Sequence, residues 1–285
     1  MTYPNSLVLT LACPDTVGIV AAVAATIADH GGNITESAQY GDPDSGTHFM
    51  RVAFKGPAGL DEDRFRDIFT PVAERFGMAW RVRDVRRKQR VMILVSKMDH
   101  CLVDLLYRWK TGQLPMDVTS IVSNHRDHES HAVQAGLPFH YLPVTKETKL
   151  ERETELFQIF KDEKVELGIL ARYMQVLSDG LSAKLSGRCI NIHHSFLPSF
   201  KGANPYSRAH ERGVKLIGAT AHYVTTDLDE GPIIEQETER VDHAMTIDEF
   251  VAIGRGIEAR VLARGVKFHL EDRVLINKNR TVVFR

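Results

Sequence analysis

The segment Cys189-Ile-Asn-Ile-His-His-Ser195 places two polar side chains of different chemistry, Asn191 and His193, two residues apart in an apolar run. Alternation along a strand points both to one face. A carboxylate follows in Gly218-Ala-Thr-Ala-His-Tyr-Val-Thr-Thr-Asp-Leu-Asp-Glu-Gly-Pro232, where Asp229 sits on a loop after an apolar strand over 220–224 and ahead of Gly231. An amide can donate to a developing oxyanion. An imidazole moves protons near neutrality. A carboxylate can activate water or hold a cationic imidazole. The three together suit acyl transfer. His194 and His222 are expected as hydrogen-bonding neighbours, and Asp227 is the alternative to Asp229.

Such groups need a strand whose carboxyl end opens on a cleft, which is where ligands bind in open α/β sheets. From Val91 the chain has that rhythm. Val91–Val95 is a continuous apolar run suited to a strand buried on both faces. Helical stretches over 101–110, 128–135 and 151–164 alternate with strands over 118–123, 139–144 and 167–170. This predicts a doubly wound, mostly parallel sheet. A capping box, Thr246 with Glu249, opens a late helix, and 274–276 with 281–284 read as a terminal hairpin.

The first 85 or so residues read as a βαββαβ unit, a ferredoxin-like sandwich. A strand over 6–12 precedes a helix with Ile19, Val20, Val23 and Ile27 at helical spacing, for which Asp15 is the expected cap. Strands over 33–40 and 48–54 flank a turn-rich stretch. A helix over 61–76 and a strand over 78–85 complete the unit. The basic residues Arg81, Arg83, Arg86, Arg87, Lys88 and Arg90 are expected to form a solvated connector. The predicted domains are 1–85, a linker over 86–90, and 91–285.

Thirty-six Lys and Arg balance 37 Asp and Glu, so no overall charge recruits nucleic acid or an anionic membrane. Three cysteines far apart exclude a disulfide framework. The N-terminus lacks a basic n-region and a long apolar run, and a cytoplasmic protein is expected.

The wording Asn191-Ile-His-His-Ser-Phe-Leu-Pro-Ser-Phe-Lys-Gly202, with Leu228-Asp-Glu-Gly-Pro-Ile-Ile234 downstream, resembles the folate-dependent formyltransferase fold over roughly 88–285. Asp15-Thr-Val-Gly-Ile-Val20 and Gly32-Asn-Ile34 resemble an ACT domain, and this fusion is similar to that of the formyltetrahydrofolate deformylase family. Gly202–Gly213 and Gly218–His222 also read like that family. The resemblance implies Asn191, His193 and Asp229 as the catalytic set. It implies a pterin wall from Tyr173, Met174, Gln175, Val176 and Leu177 together with Thr225, Thr226 and Leu228. It further implies no metal, no cofactor besides the folate substrate, and an ACT unit that pairs in a homo-oligomer and binds an amino-acid effector or serves only in dimerisation.

A glycinamide ribonucleotide transferase of this fold holds its acceptor's phosphate on a Gly/Ser/Asn-rich turn after the first strand. The equivalent turn here, Ser96-Lys-Met-Asp-His-Cys101, has no glycine, and Asp99 would repel a phosphate. Hydrolysis of 10-formyltetrahydrofolate to formate and tetrahydrofolate is therefore expected. Formyl transfer to an unidentified amine is the alternative, and a non-catalytic folate or amino-acid sensor is the reading from another class. The zinc reading of His193, His194, His222 and Asp229 lacks an H-E-x-x-H spacing. His125, Asp127, His128 and His131 are expected at the polar start of a surface helix. Lys201 is a candidate for an acidic substrate tail.

Overall fold

In a computed structural model of the chain, which describes residues 5–197 and 205–285, two units are distinguished by their internal contacts. In the first, β1 (Asn5–Pro14) is apolar at most positions and lies inside a four-stranded sheet of order β2-β3-β1-β4. The remaining elements are α1 (Ile19–Asp29), β2 (Asn33–Asp42), β3 (Thr47–Gly56), α2 (Glu62–Phe76) and β4 (Ala79–Asp84). All the pairings are antiparallel. Leu7, Leu9 and Leu11 alternate onto one face, where α1 brings Ile19, Val23 and Ile27, and α2 brings Phe65, Phe69 and Ala73. This is the ferredoxin-like order that βαββαβ predicts.

Two local expectations are corrected. Asp15 does not cap α1; Gly18 stands at the N-cap with φ of 97°, a conformation open to glycine, and Asp15 lies 3.7 Å from His48 instead. The basic seam is solvated in part: Arg81, Arg86, Arg87 and Lys88 are exposed, as expected of a connector, but Arg83 is not. Arg83 is buried and donates from Nε to Asp272 at 2.7 Å, Arg86 pairs with Asp84, and Arg90 pairs with Asp117.

The C-terminal domain boundary also differs. Residues 271–277 and 282–285 cluster with the first unit, not with the second. The reason is ionic and polar. Asp272 accepts from Arg81 and Arg83, Arg273 pairs with Glu36, and Asn277 donates to Asp42. A buried charge is retained only with such partners, because an unpaired one costs several kcal/mol.

The second unit spans Gln89–Leu270 and residues 278–281. Its strands are β5 (Gln89–Val95), β6 (Met116–Ser123), β7 (Phe139–Tyr141), β8 (Leu167–Leu170), β9 (Cys189–His193), β10 (Leu216–Tyr223) and β11 (Ile233–Arg240), in the order β11-β10-β9-β8-β5-β6-β7. Pairings from β9 through β7 are parallel, whereas β9–β10 and β10–β11 are antiparallel. The helices are α3 (His100–Lys110), α4 (Glu129–Ala135), α5 (Lys149–Asp162), α6 (Asp179–Lys184), α7 (Pro205–Arg212) and α8 (Ile247–Leu270). Central β5 is buried on both faces from Val91 to Val95, as its unbroken apolar run requires. Thr246 and Glu249 form the reciprocal cap of α8. β12 (Val274–Asn277) and β13 (Arg280–Val283) form the terminal hairpin. Among the described residues no helix is long and apolar enough to cross a membrane.

Candidate active site

Strand register brings the first polar group into place. β9 and β10 pair so that Asn191 faces His222 and His193 faces Thr220. Directly opposed residues share a face, so the amide and both imidazoles converge at one end of the sheet. The Nδ1 of His222 is 2.9 Å from the Tyr223 carbonyl and donates to it. In the neutral ring this leaves Nε2 as the acceptor for the Asn191 amide nitrogen, 3.2 Å away. One amide hydrogen is thereby fixed, and the other remains for a ligand.

Asp229 arrives on the loop after β10. Gly231 lets that loop fold onto the strand end, since a Cβ there would collide with the carbonyl of Tyr223. Asp229 itself adopts φ of 58°, a left-handed conformation that Asp and Asn tolerate better than most residues. Its Oδ2 lies 3.2 Å from Nδ1 of His193, and its Oδ1 lies 3.7 Å from Nε2 of His222. Burial opposes the charge on Asp229, but the hydrogen bond from His193, with the His222 imidazole close by, outweighs it and holds the carboxyl well below the usual carboxylate range. Asp229, not Asp227, meets the imidazole. The other ring nitrogen of His193, Nε2, is buried and has no partner among the described residues.

These groups open into a cavity of about 650 Å³. Tyr173, Met174, Gln175, Val176 and Leu177 line it from the segment after β8, and Thr225, Thr226 and Leu228 line it from the loop after β10. Asn191, His193, Asp229 and the expected pterin wall thus share one cavity. Met174 and Val176 are more than half exposed, which leaves apolar surface for a flat ring system. Lys201 lies outside the described residues.

Part of the lining was not foreseen. Glu258 on α8 is 1% exposed, yet it faces Arg172 at 3.2 Å, His100 at 2.9 Å and the Tyr206 hydroxyl at 2.5 Å. Its signal in the sequence is a lone acid on the apolar stripe of Gly254, Ile257, Val261 and Leu262. Arg172 also escaped notice; its φ of 65° turns the chain at the end of β8. The Ser96 hydroxyl joins neighbouring loops, donating to Asn124 at 2.7 Å and accepting from the Met174 N–H at 2.9 Å.

His194 stacks on His193 with ring centroids 4.9 Å apart. Burial, aided by the Arg172 cation, lowers its pKa to about 4. The unfolded chain, with histidine near 6.5, then binds the extra proton first, so stability falls as pH drops from about 6.5 towards 4. That loss amounts to about 3 kcal/mol at most. Denaturant unfolding of wild type and His194→Gln at pH 7 and pH 4.5 checks this. The wild type is expected to lose more stability over the interval; equal losses contradict the assignment.

Comparison with known proteins identifies relatives over almost the full chain. Residues 89–266 match the formyl transferase family and residues 7–63 match the ACT domain family. A formyltetrahydrofolate deformylase of Corynebacterium sp. (strain P-1) is 49% identical over 98% of this chain and 98% of its own length. One from Bacillus subtilis (strain 168) is 48% identical over 97% of this chain and 93% of its own. The crystal structure of a formyltetrahydrofolate deformylase from Burkholderia mallei ATCC 23344 superposes with a TM-score of 0.95 at 52% identity, covering 99% of this chain and 100% of that one.

Proposed function

The chain belongs to the formyltetrahydrofolate deformylase family, and from that premise we propose that it hydrolyses 10-formyltetrahydrofolate to formate and tetrahydrofolate at Asn191, His193 and Asp229. The observation that carries this reading is the arrangement at His193. One nitrogen is fixed on the half-buried Asp229 carboxylate and the other has no partner among the described residues, beside an amide already oriented by His222.

The pterin docks between the 173–177 segment and the 225–228 loop and presents its N10-formyl carbon to the strand end. Asp229, coupled with His193, orients a water and takes its proton as the oxygen attacks. The free amide hydrogen of Asn191 and the protonated imidazole stabilise the tetrahedral oxyanion. Collapse breaks the C–N10 bond, N10 receives a proton, and formate leaves. No cofactor takes part in this scheme. One feature favours water over a phosphorylated amine acceptor: the turn after β5 offers no glycine-lined cradle for its phosphate.

The first unit's match to the ACT domain supports an amino-acid effector bound where two such units pair. Pairing of that kind makes the enzyme a homo-oligomer, and a cytoplasmic location is part of the same proposal.

The test is direct. Purified full-length protein incubated with 10-formyltetrahydrofolate and a strong chelator, without added amine, is expected to release formate and tetrahydrofolate in equal amounts. Release that requires an amine, or binding without release, overturns the proposal.

A further inference from the structure

The connection after β6 holds a group that the reaction does not use. Strands β5 and β6 run parallel with Val95 opposite Ser123, so the loops that leave their carboxyl ends are neighbours. Asp99 lies on the first loop. His128 and His131, on the second, stand at the start of α4, three residues apart and therefore on one side of the helix. One ring nitrogen from each histidine and one carboxylate oxygen of Asp99 lie within 4.8 Å of one another.

His128 departs from the surface position expected of it. It is 7% exposed, and its Nε2 has no hydrogen-bond partner among the described residues. A buried ring nitrogen that has lost its water without gaining a partner is destabilising, so it calls for one. A protonated His131 paired with Asp99, 3.5 Å away, would explain those two residues. It leaves His128 unexplained.

From this geometry we infer a binding site for a divalent transition metal of the zinc class, held by Asp99, His128 and His131. Imidazole nitrogen and carboxylate oxygen are ligands of that class, with bonds of about 2.0–2.2 Å. A tetrahedral site places ligand atoms roughly 3.3 Å apart at such bond lengths. Small rotations of the partly exposed Asp99 and His131 side chains achieve that. Three protein ligands leave a fourth position for water.

The second group of candidate ligands, His100, Cys101 and Glu258, is a poorer host. Glu258 already accepts from His100 and Tyr206, and Arg172 would repel a dication there. Neither Asp99, His128 nor His131 lines the active-site cavity, but the loops that carry them do, through Ser96–Met98 and Asn124–His125. The metal is therefore structural, tying together two loops of the cavity wall.

The test uses tag-free full-length protein stripped with chelator and titrated with Zn²⁺ against a chromophoric competitor. One Zn²⁺ per chain is expected, and Co²⁺ is expected to give visible bands of a four- or five-coordinate nitrogen and oxygen site. Asp99→Ala and His131→Ala, both at partly exposed positions, are each expected to weaken Zn²⁺ binding at least tenfold, and His100→Gln to leave it unchanged. Zn²⁺ is also expected to raise the Tm of wild type and not that of His131→Ala. Substoichiometric binding, less than a threefold effect of Asp99→Ala and His131→Ala, or loss of binding in His100→Gln overturns the assignment. Because the readout is metal binding and stability, it stands apart from the hydrolysis test.

Discussion

Asp229→Asn is expected to lower the rate of formate release by about 10³–10⁴-fold while folate binding persists. An Asp→Asn exchange beside a catalytic imidazole costs roughly 10⁴-fold where the amide selects the wrong tautomer. The geometry here invites that outcome. Oδ2 of Asp229 sits 3.2 Å from Nδ1 of His193, and an amide NH₂ at that position would donate to Nδ1 and move the ring proton to Nε2. The carboxylate that takes the proton of water would be lost, together with the negative charge that balances a protonated ring. Asparagine is the informative replacement, because the left-handed backbone at residue 229 tolerates it, whereas alanine would add strain. Single-turnover kinetics with equilibrium folate binding separates chemistry from docking. Turnover within tenfold of wild type would remove Asp229 from the mechanism. A second signature follows from its depressed pKa. Ionised Asp229 contributes stability above the ordinary aspartate range near pH 4, and that contribution is lost as pH falls below it. The Asn variant lacks this dependence.

The residues of the site were legible because their order along the chain is also their order in chemistry. Asn191 and His193 lie on one strand, so a period of two suffices to place them together. Asp229 required more. Its convergence depends on the antiparallel pairing of β9 with β10 and on Gly231, which local pattern does not reveal. The antiparallel edge strand β11 was not foreseen either, since Glu235, Gln236, Glu237 and Glu239 give it a polar composition; Arg260 and Arg264 on α8 pair with its acids.

Long-range ionic partners were the least visible. Asp272 and Arg83 are 189 positions apart, and nothing near either one indicates a buried pair. A charge read in isolation is taken as solvated. The same bias hid Glu258 on its helix and left His128 on the surface. Buried polar groups are specified by what they meet, and pairing across the fold is the information that a single sequence withholds.

Asn191→Ala is expected to reduce kcat by about 10²–10³-fold with a smaller change in KM, the usual cost of removing one oxyanion donor. The split matters because the amide is asked to act on an oxygen that becomes negative only as water adds. An interaction made chiefly in the transition state lowers kcat and kcat/KM together, whereas uniform substrate binding would raise KM alone. The structure supplies the preorganisation that the argument needs. The Tyr223 carbonyl fixes the tautomer of His222, and His222 holds one hydrogen of Asn191, so the second hydrogen is aimed without reorganisation. His222→Phe keeps much of the ring's shape and removes the acceptor. It is expected to lose part of the same rate, and to add little further loss when combined with Asn191→Ala. Steady-state kinetics on the two single variants and the double variant measures this coupling. Additive losses would mean that His222 acts on the reaction independently of the amide, through its 3.7 Å approach to Asp229.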